Sequence, residues 1–238
     1  MTNYTQWKSL VDLHEYSAIP DSDLLQVLYD PRQEEFSDTN TVSTVTDFEN
    51  DFDATTASEQ EDATFETDVQ NGEPAFAFNG DDSILTNTDF SISEPWELFA
   101  VIDVRELANN LSVFDGGSRN EARLNVRDEN GGHEWSLTLG GDGTDQGGVV
   151  EEKISQISIR SDAANNDTHF RVDAGDTIIV DGASEGSDLS GITLGSGGDV
   201  DPGADSNLQH GLLAWWLYSG DPDTTAVESY MQDVWGPF

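Results

Sequence analysis

The sequence predicts an all-β protein: a two-sheet jelly-roll sandwich with a short helical segment at its N-terminus and one short helix at its C-terminus. Three observations carry this expectation. Short segments alternate apolar and polar residues, as Ala122-Arg123-Leu124-Asn125-Val126 does. Gly, Asn and Asp turns such as Asn71-Gly72, Asn79-Gly80 and Asn130-Gly131-Gly132 separate them. Helical periodicity is scarce, and many short strands with such turns favour sandwich architectures.

The elements follow in order. Trp7, Leu10, Val11, Leu13 and His14 keep helical spacing up to Ser17-Ala18-Ile19-Pro20, where the proline ends the run. Leu24 to Tyr29 reads as a short apolar strand stopped by Asp30-Pro31. The acidic Ser/Thr-rich tract from about Glu34 to Asp68 reads as a linker or as loops laid over a surface, held by Val42, Val45, Phe48 and Phe52. From Asn71 the pattern is β. Leu98 to Val104 is apolar on both faces, as for a central strand covered on both sides. Two hairpins follow, Ala122–Leu139 about an Asn-Gly-Gly turn and His169–Val180 about Asp173-Ala174-Gly175-Asp176. The C-terminal helix has Asp221 or Asp223 to cap it, Pro222 for its first turn, Val227, Met231 and Val234 on one face, and Gly236-Pro237 to stop it.

Composition restricts what such a chain does. Nine Lys and Arg against 48 Asp and Glu leave a net charge of −39 in 238 residues. Self-repulsion of that size is screened over ~3 Å in molar salt, so the chain is expected to be halophilic. Six Trp and eleven Phe argue for a packed core rather than disorder. Nucleic acid is excluded as a partner, because phosphate binding needs a basic patch. There is no Cys, hence no disulfide and no thiol chemistry. The first 25 residues have no basic region followed by an apolar run, so no secretion signal is expected, and no membrane span is expected either.

Several segments in sequence order resemble a known family. Val42-Ser43-Thr44-Val45-Thr46-Asp47, Asn50 to Thr55, Asn71 to Ala75 and Phe78-Asn79-Gly80-Asp81-Asp82 are similar to the opening of a concanavalin A-like LamG (laminin G/pentraxin-type) jelly roll. Phe114-Asp115-Gly116-Gly117 is similar to a strand end of those domains, and Leu212 to Asp221 followed by a helix ending Val234-Trp235-Gly236 to their closing strand and helix. The resemblance runs from residue 21 to residue 238, leaving residues 1–20 as a docking segment. One departure falls at Val45, where a Trp is usual.

The resemblance implies a sugar-binding or adhesive module, often with calcium at a loop. Asp81 and Asp82, and Asp199, Asp201 and Asp205, are the calcium candidates, since hard cations take closely spaced carboxylates. The alternative reading is a solvated acidic loop. Adjacent strand residues face opposite ways, so of Trp215 and Trp216 only one fills the core. Trp216, covered or free to stack on a sugar, and Trp135 are the candidate carbohydrate platforms. A laminarinase-like branch of the fold carries Glu-x-Asp-x-x-Glu on one strand for retaining hydrolysis, and this chain lacks it. Hence no catalytic residues are assigned, the chain is expected not to be an enzyme, and a glycoside hydrolase stands as the lesser alternative. The four His (14, 133, 169 and 210) lack metal-ligand spacing and read as surface residues.

Such modules work outside cells, yet no export signal is seen. A virion protein of a virus infecting halophilic archaea reconciles the two: turret, decoration or tail fibre, docked on other virion proteins through residues 1–20. The partners expected are host surface glycans, those virion proteins and further copies of the chain in a homo-oligomer. A purely structural capsid or tail role is the alternative.

Overall fold

The computed structural model describes residues 18–57, 61–80, 85–107, 111–117, 121–129, 132–140, 144–165, 167–179, 188–196, 206–207 and 209–238. They form two nine-stranded sheets and one C-terminal helix. The first sheet contains β1 (Leu25–Tyr29), β2 (Thr41–Val42), β5 (Ala63–Gln70), β6 (Glu73–Asn79) and β8 (Trp96–Val104). It is completed by β13 (Ile154–Ser161), β14 (His169–Val172), β15 (Ile178–Ile179) and β18 (Gln209–Ser219). The second sheet contains β3 (Thr44–Val45), β4 (Ala54–Thr56), β7 (Leu85–Asn87), β9 (Leu111–Gly116) and β10 (Ala122–Glu129). Its other strands are β11 (Gly132–Leu139), β12 (Thr144–Val149), β16 (Ile192–Leu194) and β17 (Ser206–Asn207).

In the first sheet the order is β15-β14-β13-β8-β18-β6-β5-β2, and in the second β12-β11-β10-β9-β16-β7-β4-β3. Strand β18 pairs with β8 along its length; its other edge is shared by β6 at residues 209–212 and β1 at 215–218. Among the described strands only β17 runs parallel to its neighbour, β9. The two-sheet sandwich is therefore as expected from the alternation of apolar residues.

Two clusters of apolar side chains hold it. The larger lies between the sheets and includes Phe76, Trp96, Leu98, Leu124, Trp135, Ile157 and Trp215. The smaller lies on the outer face of the first sheet, beneath α1 (Thr224–Trp235), and includes Phe99, Val101, Trp216, Val227, Met231 and Trp235. Strand β8 is thus covered on both faces, as its unbroken apolar run predicts. A bulge in β18 between Leu212 and Ala214 sets the facing. Leu213 and Ala214 both turn to the helix side, so Trp215 returns to the inter-sheet core and Trp216 to the helix.

The helix begins at Asp223, whose carboxylate accepts from the Ala226 N–H at 3.1 Å. Pro222 precedes the cap rather than sitting in the first turn. The Asn71-Gly72 turn between β5 and β6 has φ of 53° and 86°. Those values suit the two-residue turns that Asn-Gly favours.

The acidic tract departs from expectation. It is not a linker: β2, β3, β4 and most of β5 lie in it and belong to both sheets. Short Thr-rich strands carry too little apolar periodicity to be seen in sequence. One of its acids organises the region from inside. Asp47, 2% exposed, accepts backbone N–H groups from Leu28 (2.8 Å), Glu49 (3.0 Å), Asn50 (2.9 Å) and Phe52 (3.1 Å).

Residues 1–17 of the expected docking segment lie outside the described residues. Its end is tied to the sandwich: Ile19 is buried in the helix-side cluster, and the Pro20 carbonyl accepts from the Tyr218 hydroxyl at 3.2 Å. No helix among the described residues is long and apolar enough to cross a membrane.

Candidate functional site

The expected sugar platforms, Trp135 and Trp216, are not on the surface. Trp135 and Trp216 are both 0% exposed. Trp135 lies opposite Val126 in the β10–β11 hairpin and points into the inter-sheet core. Trp216 is covered by α1, with Trp235 and Tyr230 rings at 5.8 and 5.7 Å. Neither can stack on a ligand. His210 is likewise not a surface residue; it is buried and stacked on Phe78 at 4.9 Å. The calcium candidates Asp81, Asp82, Asp199, Asp201 and Asp205 lie outside the described residues. Among the described residues no group of three or more His, Asp or Glu is placed to hold a metal.

The outer face of the second sheet offers something different. Strand β10 points Leu124 and Val126 inward, so Arg123, Asn125 and Arg127 point outward; β11 likewise points Ser136 and Thr138 outward. Register joins Ser136, Asn125, Ser112 and Asn207 into one row across four strands. A neighbouring row runs Thr144–Thr138–Arg123 at one side and Asp115–Thr193–Thr86–Thr55–Thr44 at the other. Most strands of the sheet contribute a polar residue to this face.

These outward groups are nevertheless buried: Ser112 and Asn125 at 0%, Ser136 at 1%, Arg123 at 4%. Some satisfy one another. The Arg123 guanidinium donates to the Ser112 hydroxyl from Nε (3.0 Å) and Nη2 (2.6 Å). Others do not. Both amide atoms of Asn125 and the hydroxyl of Ser136 are without a hydrogen-bond partner. A buried polar group left unpaired costs about 1–3 kcal/mol. An amide that donates and accepts beside a hydroxyl that does both is the chemistry that engages sugar hydroxyls. Sequence alternation had placed Arg123 and Asn125 outward, but not beside Ser112 and Ser136.

Two other regions were possible sites. Clefts of about 340 and 590 Å³ flank Arg32, sharing Glu73. Arg32 already holds Asp30 through Nε (2.9 Å) and Nη2 (2.5 Å), and lies 4.4 Å over the Trp235 ring. Its charge is used in fastening the turn after β1 to the helix.

The second region is an ionic cluster under α1. Arg160 meets Asp221 (2.8 Å), Asp167 (3.0 Å), Asp162 (3.2 Å) and Glu97 (3.5 Å). Glu97 also accepts from the Thr224 hydroxyl at 2.9 Å. Glu228 accepts from Ser158 (2.8 Å) and Arg171 (2.9 Å). Glu97 lies buried beneath the helix and Glu228 is buried on the helix itself, while Asp221 and Asp167 reach solvent, so the cluster serves to seat the helix. Burial outweighs these partners and pushes the Glu97 carboxyl up to about 7. Folded Glu97 therefore keeps its proton between pH 4.5 and about 7, where the unfolded chain has lost it. The stability this contributes is present below 4.5 and is lost as pH rises through about 7. Glu97→Gln is expected to remove that slope, on the order of a few kcal/mol across the window. Parallel slopes for both proteins in denaturant titrations at stepped pH would count against it.

With the geometry in place, likeness to known proteins can be weighed. No protein-family model matches the chain, and no curated protein matches it. Solved structures do. An arabinofuranosidase complexed with arabinofuranosyl-α-1,2-xylobiose aligns with TM-score 0.62 and 15% identity, over 82% of this chain and 50% of that one. The Trypanosoma rangeli sialidase aligns at 0.56 and 16%, over 92% of this chain and 35% of that one. Domain 4 of a Geobacillus stearothermophilus arabinanase, in complex with arabinotriose, aligns at 0.58 and 14%, over 86% of this chain and 97% of that one. The chain thus spans a third to a half of the first two. At these identities the likeness shows the fold.

The expectation that the chain is not an enzyme is corrected by the same likenesses. This architecture lies within chains named as sialidase, arabinofuranosidase and arabinanase. The missing Glu-x-Asp-x-x-Glu pattern excluded only one arrangement of carboxylates, so the exclusion of catalysis is withdrawn.

Proposed function

We propose that the chain is a glycan-binding module of the LamG type, and that sugars are gripped on the outward polar face of the second sheet. The observation that carries this reading is Asn125, whose amide has no partner on that face; because it is as buried as the tryptophans, a sugar reaches it only where the cover over this face opens. Support comes from the domain of the same fold whose structure holds arabinotriose. Residues 21–238 form the binding module, and residues 1–20 dock it on other virion proteins of a virus of halophilic archaea. The charge of −39 fits high salt. A homo-oligomer adds avidity to weak single sites.

The test is retention of the protein on surface-layer glycoprotein from a halophilic archaeon, in high salt, with and without a chelator. Wild type is expected to be retained, and Asn125→Leu, similar in volume, to lose at least about tenfold in affinity, a difference of 1.4 kcal/mol. Equal retention of a folded Asn125→Leu protein would overturn the reading. Loss on chelation would add calcium through the Asp81/Asp82 or Asp199–Asp205 segments.

A further inference from the structure

The polar face described above contains an arginine that differs from most of the chain's other described cations. Arg32 holds Asp30, Arg105 holds Asp103 and Glu66, Lys153 holds Asp173, Arg160 holds four acids, and Arg171 holds Glu228. In a chain with 48 acids this is the expected outcome for any cation. Arg127 has no such partner among the described residues. Glu134 stands opposite it in the β10–β11 ladder, yet the two form no ion pair, and Asp128 beside it takes His133 at 2.7 Å. The Nε of Arg127 is buried with no hydrogen-bond acceptor.

Its position matters as much as its isolation. Arg123, Asn125 and Arg127 occupy alternate positions of β10 and share its outward face, at intervals of about 7 Å along the strand. Arg127 therefore lies one outward step from the unpartnered Asn125 amide. A guanidinium fork beside an amide matches a sugar that carries an acid group: the amide meets ring hydroxyls, and the fork takes two oxygens of a carboxylate or sulfate. Long-range attraction cannot recruit an anion to a surface this acidic. In high salt, however, the repulsion is screened over a few ångströms, so a direct contact decides.

We infer that Arg127 is the specificity-determining residue of this face and that its ligands are acidic glycans, with a uronate carboxylate or a sulfate seated on the Arg127 guanidinium. This rests on the glycan-binding reading above. An unpaired fork that meets an anion gains charge-assisted hydrogen bonds that a neutral sugar does not offer.

The experiment is calorimetric titration of the full chain in high salt with an oligogalacturonate, with its methyl ester, and with a sulfated oligosaccharide. Wild type is expected to bind the free acid at least about tenfold more tightly than the ester, the factor that 1.4 kcal/mol supplies. Arg127→Gln should erase that preference by bringing affinity for the free acid down to that for the ester, and Arg127→Lys should restore part of it. A preference for the sulfated ligand that Arg127→Gln also erases would support the inference with sulfate as the group. Equal binding of acid and ester by wild type, or equal loss of both in a folded Arg127→Gln protein, would overturn it. Asn125→Leu separates the two readings. If it loses the ester while Arg127→Gln changes nothing, glycan binding stands and the acidic specificity falls. If no probe binds wild type, or Asn125→Leu binds them all as wild type does, both fall.

Discussion

Asp47→Ala is expected to lower the unfolding free energy by about 3 kcal/mol, because buried donors left without an acceptor cost about 1–3 kcal/mol each. One carboxylate serves four backbone N–H groups, two on each oxygen: Leu28 and Glu49 on Oδ1, Asn50 and Phe52 on Oδ2. The Leu28 bond joins β1 to a loop nineteen residues away in the chain. Without it the loop from Asp47 to Asp53 loses its anchor, and so does the Tyr29 hydroxyl, which donates to the Phe52 carbonyl at 2.6 Å. Asp47→Asn keeps one acceptor oxygen and turns an amide toward the other two donors, so an intermediate loss is expected. Denaturant midpoints at constant slope measure both. A loss under about 0.5 kcal/mol for Asp47→Ala, the range of an ordinary surface change, would refute the anchoring role.

Trp216→Ala is expected to cost about 3–5 kcal/mol, the range for removing a buried large aromatic. Trp216 is the centre of the second cluster, in contact with Tyr230 and Trp235 of α1. Its loss would leave a cavity between β18 and the helix, and the helix would lose protection before the sheets do. Trp216→Phe, which keeps an aromatic there, should retain more than half of the stability that alanine loses. Amide exchange of α1 compared with β8 reads the effect locally. Equal exchange in wild type and Trp216→Ala would show that the helix does not depend on this ring.

How much was legible in the sequence differs from element to element. Leu98 to Val104 declared a doubly covered strand because apolar residues fill both faces. The Trp215-Trp216 pair declared opposite facings, because adjacent strand residues must diverge. What covers the second face was not declared. The helix had been placed by its cap and its Val227/Met231 face, but only packing shows that this face meets Trp216. The tract around Asp47 misled, since Thr-rich strands of two or three residues are too short for a period to register. His210 misled as well, because nothing local distinguishes a histidine stacked on Phe78 from one in water.

For the candidate site the division is sharper. The alternation Arg123-Leu124-Asn125-Val126-Arg127 determines by itself that two arginines and an asparagine share the face turned away from the core, because the side-chain period of a strand is two. Local sequence likewise determines the all-β architecture, and the turn at Asn71-Gly72 through the positive φ these residues tolerate. Tertiary structure alone decided that Asn125 lies between Ser112 and Ser136, and that its amide is buried without a partner. It alone decided which cations meet carboxylates and that Arg127 meets none among the described residues. The physical reason is that strand pairing, cover and ion pairing join residues distant in the chain, whereas the pleat is fixed by neighbours.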